Sequence, residues 1–124
     1  MSPTDDALYT DAWLASCNEA LSGTGRHEGR ALVVTELVTD APASAHAAIT
    51  LVADDEGVRL VAGEHPAATA WLTITMRDAA ALHEGSLDPA AALAEGRVKV
   101  RGDLRAVVDA ASLLADAHAR LHAR

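Results

Sequence analysis

Half of this chain is apolar, yet almost none of that half is bulky. Among 124 residues there are 29 alanines, 15 leucines and 10 valines, against two isoleucines, two tryptophans, one tyrosine and no phenylalanine. Leu, Ile, Val and Phe together supply 27 residues, above the floor of ~20% below which a chain cannot build a core. A domain of this length buries about two-thirds of the surface its unfolded chain exposes. A core of small side chains then has two outcomes: the elements close up on alanine, or they leave space between them, because interiors otherwise pack at crystal-like density. Nine of the ten basic residues are arginine, so GC-rich codon usage accounts for part of the alanine excess.

The charge excludes several classes of function. Eighteen acids against ten bases give a net charge of −8, the wrong sign for a general nucleic-acid binder, which must neutralise phosphate. Single-stranded nucleic acid needs stacking platforms, and three aromatic residues do not make a series of them. Adsorption to anionic lipid draws on clustered Lys and Arg. The lone Cys17 rules out a disulfide framework within the chain. The N-terminal Ser2–Asp6 stretch lacks the basic and apolar blocks of a secretory leader. The longest uncharged stretch, between Asp40 and Asp54, is too short to span a bilayer and is broken by Pro42, Ser44 and His46. The expectation is a soluble, cytoplasmic protein with no stable membrane insertion, folded as one domain over 1–124.

The patterning predicts an α+β chain. A helix is expected over Asp5–Leu21, capped by Ser2 or Thr4, with Leu8, Ala12, Trp13, Cys17, Ala20 and Leu21 inward. Strands follow at Ala31–Val38, Ala47–Ala53 and Val58–Ala62, the last two joined by the acidic turn Asp54–Gly57 as an antiparallel hairpin. A fourth strand, Ala70–Met76, places Leu72, Ile74 and Met76 on one face and Trp71, Thr73 and Thr75 on the other. A short helix Arg77–Glu84 closes at Gly85. Asp88 and Pro89 open another, which Gly96 closes. Arg97–Arg101 alternates as a strand with Val98 and Val100 inward. Asp103 caps a long final helix whose inner stripe reads Leu104, Val107, Val108, Ala111, Leu114, Ala115, His118 and Leu121.

The stretch Leu72–Leu114, LTITMRDAAALHEGSLDPAAALAEGRVKVRGDLRAVVDAASLL, carries a resemblance. Its alternating strand, short helix, Gly85, Asp88-Pro89 helix start and Glu95–Asp103 segment (EGRVKVRGD) resemble the sterol carrier protein type 2-like lipid-binding family, particularly its short bacterial members. The specific part is Thr73–Leu104; the preceding helix and strands match in order. The resemblance implies a twisted, mainly antiparallel five-stranded sheet, covered on one face by helices, with an apolar tunnel between them. It also implies binding of fatty acyl chains, sterols or other hydrophobic molecules, with no catalytic residue and no cofactor. The sequence departs from the family in two places. The helix before Gly85 is shorter than in well-known members, and Ala92, Leu93 and Ala94 stand where many members carry aromatic residues. The C-terminal His122-Ala123-Arg124 is not the peroxisomal signal of the eukaryotic carriers.

On this reading the cavity is lined by Leu72, Ile74, Met76, Leu82, Leu87, Leu93, Ala94, Val98, Val100, Val107, Leu114 and Leu121, a set that equally describes a packed core. His83, beside Glu84, is either a polar contact for the ligand or half of a surface pair. His118 and His122 stand one helical turn apart, a metal-ligand spacing, but two ligands make no site, and no metal is expected. Two other classes remain open. A small isomerase or cyclase acting on an apolar substrate would use His83, Glu84 and Asp78 for acid–base work. An interaction module or homodimer would use Trp71, unless that ring is tucked under a loop, or the basic run Arg97, Lys99, Arg101 and Arg105, which otherwise guards an edge strand against aggregation.

Overall fold

The computed structural model describes residues 8–22 and 29–122; the side chains of His118, Arg120, Leu121 and His122 lie outside that description. The order is α1 (Asp11–Ser22), β1 (Leu32–Val38), β2 (Ala48–Asp54), β3 (Gly57–Ala62), β4 (Ala70–Ile74), α2 (Met76–Glu84), α3 (Pro89–Ala94), β5 (Lys99–Gly102) and α4 (Leu104–His122). The strands form one five-stranded sheet in the order β3-β2-β1-β4-β5. All neighbouring pairs are antiparallel except β1 and β4, which run parallel with Glu36 opposite Leu72. The α+β architecture expected from the sequence is present. α1 packs on β3 and on α4, α4 crosses β1 and β4, and α2 and α3 lean on α4.

Local chemistry sets the ends of these elements. The expected hairpin forms with Asp54 opposite Gly57. Thr75 caps α2, its side chain accepting from the Asp78 amide at 3.2 Å, so Met76 leaves the fourth strand and begins the helix. Asp88 caps α3 by accepting from the Ala91 amide, with Pro89 at its start. Gly102 turns the chain from β5 into α4 at φ +89°, and a Cβ there would sit 2.3 Å from the Thr69 carbonyl oxygen. Only glycine meets both conditions.

Two helices differ from the sequence reading. The first begins at Asp11, with the Thr10 hydroxyl accepting from the Trp13 amide; Leu8 and Tyr9 form a turn, and residues 5–7 lie outside the described residues. Its buried stripe is Trp13, Leu14, Cys17, Ala20 and Leu21, with Ala12 exposed. Leu14 carries far more apolar surface than Ala12, and the helix rotates to bury it. In α4 the buried positions are Ala106, Val107, Ala110, Leu114 and Ala117, while Leu104 and Val108 are 50% and 38% exposed. The helix presents three alanines to the sheet beside Val107 and Leu114 and leaves Leu104 and Val108 outside, because a stripe rich in small residues allows close approach. Of the two outcomes open to this composition, the elements have mostly closed up.

The sheet edges are managed differently. Asn18 on α1 covers β3, donating to the Leu60 carbonyl at 2.9 Å and accepting from the Leu60 amide at 2.7 Å. β5 carries exposed Lys99 and Arg101, charges that discourage strand addition. On the sheet face away from the helices the fully buried hydroxyls of Thr35 and Thr50 bond each other at 2.8 Å. Trp71 lies next to Thr35 in register.

Candidate functional site: a buried carboxyl beside an apolar cavity

Between the sheet and the helices lies a cavity of about 30 Å³. Sheet residues Val34, Ile49, Leu51, Leu60 and Leu72 form its floor, and Leu82, Val107, Ala110, Ala111 and Leu114 its roof. Two of its lining residues are polar: Glu36 and His83. Glu36 occupies an inward position of β1, opposite Ile49 on one side and Leu72 on the other. It is 6% exposed, in the middle of an aliphatic layer.

The polar groups form a chain. The Tyr9 hydroxyl donates to Glu36 Oε1, and His83 Nε2 lies 2.8 Å from the Tyr9 oxygen. With the Tyr9 hydrogen committed to an ionised Glu36, Nε2 is the donor to Tyr9. The rings of Tyr9, Trp13 and His83 meet edge to face, with centroids 5.0, 5.3 and 5.6 Å apart, a favoured aromatic geometry. All three aromatic side chains of this cluster are buried. Tyr9 reaches its place with a left-handed backbone, φ +63°, alone among the described non-glycine residues. Such a conformation costs about 1–3 kcal/mol and persists only where its surroundings impose it. Here the Tyr9 carbonyl accepts from the His46 amide at 2.9 Å and the side chain is locked by Glu36.

Electrostatics follow from burial. Removal from water pushes the Glu36 carboxyl up to about 7, against the Tyr9 hydrogen bond, which acts in the other direction. Burial first, and then the Glu36 charge, hold the Tyr9 hydroxyl well above its ordinary range, so it stays a donor. The chain therefore holds a carboxyl that changes charge near neutral pH, next to apolar space.

The residues expected to line a tunnel divide into three groups. Leu72, Leu82, Val107 and Leu114 line this cavity, with His83. Leu93 and Val98 line a second cavity of about 10 Å³, shared with Leu72, Leu82, Pro89, Val107, Val108 and Ala111. Ile74, Met76, Leu87, Ala94 and Val100 line neither; Ile74 and Leu87 are buried in the core and Ala94 is exposed. Leu121 lies outside the described side chains. Among the described residues these sheet-to-helix spaces are small, because the alanines of α4 bring it close to the sheet.

His83 is not half of a surface pair. It shares the buried face of α2 with Ala79, one turn earlier, and is 5% exposed, while Glu84 faces out. Glu36 and Tyr9 escaped the sequence reading. Their signal is an acid at the third inward position of a strand whose other inward residues are Leu32, Val34 and Val38.

The other candidates are engaged elsewhere. Arg97 pairs with Asp78 at 2.6 Å, and the Arg97 hydrogen bond holds the Asp78 carboxyl below its ordinary range. The Arg101 guanidinium lies 4.3 Å from the centroid of Trp71, so this half-buried ring sits under a cation. Among the described residues no group of three or more His, Cys, Asp or Glu side chains could hold a metal ion. No helix among them is long and apolar enough to cross a membrane.

A sheet covered on one face by helices, with an apolar cavity at the junction, defines a small α+β protein with an internal cavity. Residues 25–115 match the sequence model of the SCP-2 sterol transfer family, and the chain belongs to that family. No curated protein matches the sequence. Among solved structures, sterol carrier protein 2 superposes with a TM-score of 0.59 at 20% identity, over 93% of this chain and 96% of that one. Sterol carrier protein-2 like-3 of Aedes aegypti gives 0.58 at 18%, over 86% and 96%. A sec-alkylsulfatase of Pseudomonas gives 0.63 at 15%, over 86% of this chain but 16% of the enzyme, so the chain spans about a sixth of its length. At these identities the likeness is one of fold.

Proposed function

We propose that this chain, as a single cytoplasmic domain, binds and carries a lipid or other hydrophobic small molecule without chemistry of its own. The family assignment supports lipid binding. The observation that carries the location is the wall between the two cavities. Leu72, Leu82, Val107 and Ala111 line both, so displacement of these four apolar side chains joins the two spaces. The outer cavity is bounded by Val108, which is 38% exposed, and this marks the way in between α3 and α4. Ligand sites usually occupy ~300–1,000 Å³, so binding requires α2, α3 and α4 to move away from the sheet. Each buried methylene contributes about 0.8 kcal/mol, enough for a medium-length chain to hold the layers apart.

The test is native mass spectrometry of the purified protein with lipid extraction, followed by titration with a fluorescent acyl chain. One bound acyl chain per protein is expected. No co-purified lipid together with no uptake would sink the reading.

The Glu36 carboxyl favours a second reading, an isomerase for an apolar substrate. A base with pKa near the working pH is suited to proton abstraction. Asp78 is tied to Arg97 and Glu84 is exposed, so Glu36, with His83 behind Tyr9, replaces them in this role. Deuterium exchange beside the carbonyl of a bound apolar ketone, lost in Glu36→Gln, would establish it; no exchange above the rate in buffer would remove it.

A further inference from the structure

The Glu36 carboxylate has two oxygens and one hydrogen bond. Oε1 accepts from Tyr9; among the described residues Oε2 has no partner. A buried acceptor left unsatisfied costs free energy. At an inward position of a central strand, a leucine would avoid that cost. The cavity that Glu36 lines has room for a water or two, and every other lining residue but His83 is apolar. The groups facing the carboxyl are few. The turn before α1 supplies Tyr9, α1 supplies Cys17 behind it, and α2 supplies His83. From α4 come Val107, Ala110, Ala111 and Leu114, none of them titratable. Among the described residues no lysine or arginine is among them. The strained Tyr9 backbone and the His83 contact aim one fixed donor at Oε1 and leave Oε2 for something else.

We propose that Glu36 is the head-group acceptor of this cavity, taking an apolar ligand that ends in a hydrogen-bond donor, a hydroxyl or an amine, at Oε2. The inference rests on the reading that the cavity takes an apolar ligand. It adds polarity to that ligand and assigns the end of the site at which the head lies. Above pH 7, chains ending in a carboxylate are disfavoured, because a second like charge would meet the ionised Glu36 with no lysine or arginine among the described lining residues.

The experiment compares octanol, octylamine and octane by displacement of a polarity-sensitive dye at pH 8, for the wild type, Glu36→Leu and Glu36→Gln. The ratio of octanol to octane affinity is expected to fall about tenfold or more in Glu36→Leu, the range set by losing a hydrogen bond to a buried charge. Glu36→Gln keeps an acceptor for Tyr9 and so guards against failure of the leucine variant to fold. There the ratio of octylamine to octane is expected to fall by a similar factor, since the charge is gone. Relative to the wild type, a fall in the variants confined to the amine arm assigns an ammonium head, and a fall in both arms assigns a general donor. Ratios unchanged in both variants, with octane still bound, overturn this inference alone. Failure of the wild type to bind any of the three overturns it together with the reading on which it rests.

Discussion

The hydroxyl of Tyr9, on the turn before α1, donates to the carboxylate of Glu36, at an inward position of β1. The two are 27 residues apart in the chain, and the bond ties the N-terminal turn to the floor of the cavity. It couples a strained backbone, a titrating acid and the apolar space.

Stability should fall as pH rises through the titration of Glu36. The carboxyl moves from an ordinary 4.5 to about 7 on folding. Between those values the folded chain keeps a proton that the unfolded chain has lost, so the group's contribution is fully present below 4.5 and is lost as pH approaches 7. The loss is about 3 kcal/mol. Asp54 and Asp78, held low by Arg59 and Arg97, act in the opposite sense at lower pH. The difference between the wild type and Glu36→Gln in urea denaturation at pH 5 and pH 8 isolates the Glu36 part. Parallel profiles for the two proteins would contradict it.

Tyr9→Phe removes the one donor to Glu36 and should cost about 1–3 kcal/mol at pH 8. The Tyr9 hydrogen bond lowers the Glu36 value, so its removal moves the titration above 7. The measurement is the same pH series: a transition displaced to higher pH is expected, and an unchanged midpoint would show that the hydroxyl does not hold the charged form.

Leu82 is part of the wall between the two cavities. Leu82→Ala should join them, lowering stability by about 2 kcal/mol or more while raising acyl-chain uptake. Ala110→Leu should do the reverse. Its extra carbons exceed the cavity, overpacking costs about 1–3 kcal/mol, and uptake should drop. Circular dichroism confirms the fold of each, and equal uptake by both variants would separate the cavity from binding.

Gly102→Ala should destabilise by about 2 kcal/mol or more, because the new methyl meets the Thr69 oxygen and the backbone sits at positive φ. The lesion falls where β5 enters α4, so hydrogen exchange should accelerate first in those elements. Uniform protection equal to wild type would refute the argument.

Much of the fold was legible in the sequence because its signals are local. Asp88-Pro89 marks a helix start, Asp54–Gly57 a hairpin turn, and the alternation of Leu72 and Ile74 a strand, each acting over a few residues. Helix phase was less legible. In a chain where nearly one residue in four is alanine, several stripes compete, and the one that wins in α4, Ala106–Ala110–Ala117 with Val107 and Leu114, is chosen by closeness of approach to the sheet. The site was legible only in part. His83 was identified as a candidate without its burial, and Glu36 passed unnoticed inside a valine-rich strand.

Composition and local patterning thus determined the α+β order, the absence of a disulfide framework and the smallness of the core side chains. Only the tertiary structure decided what that smallness does: among the described residues the alanines draw α4 onto the sheet and leave cavities of about 30 and 10 Å³ beneath it. Only the tertiary structure brought Tyr9, Glu36 and His83 together, from a turn, a strand and a helix. The reason is one of range. Caps, turns and alternation are energies between near neighbours in the chain, whereas the desolvation of a carboxyl depends on everything packed around it.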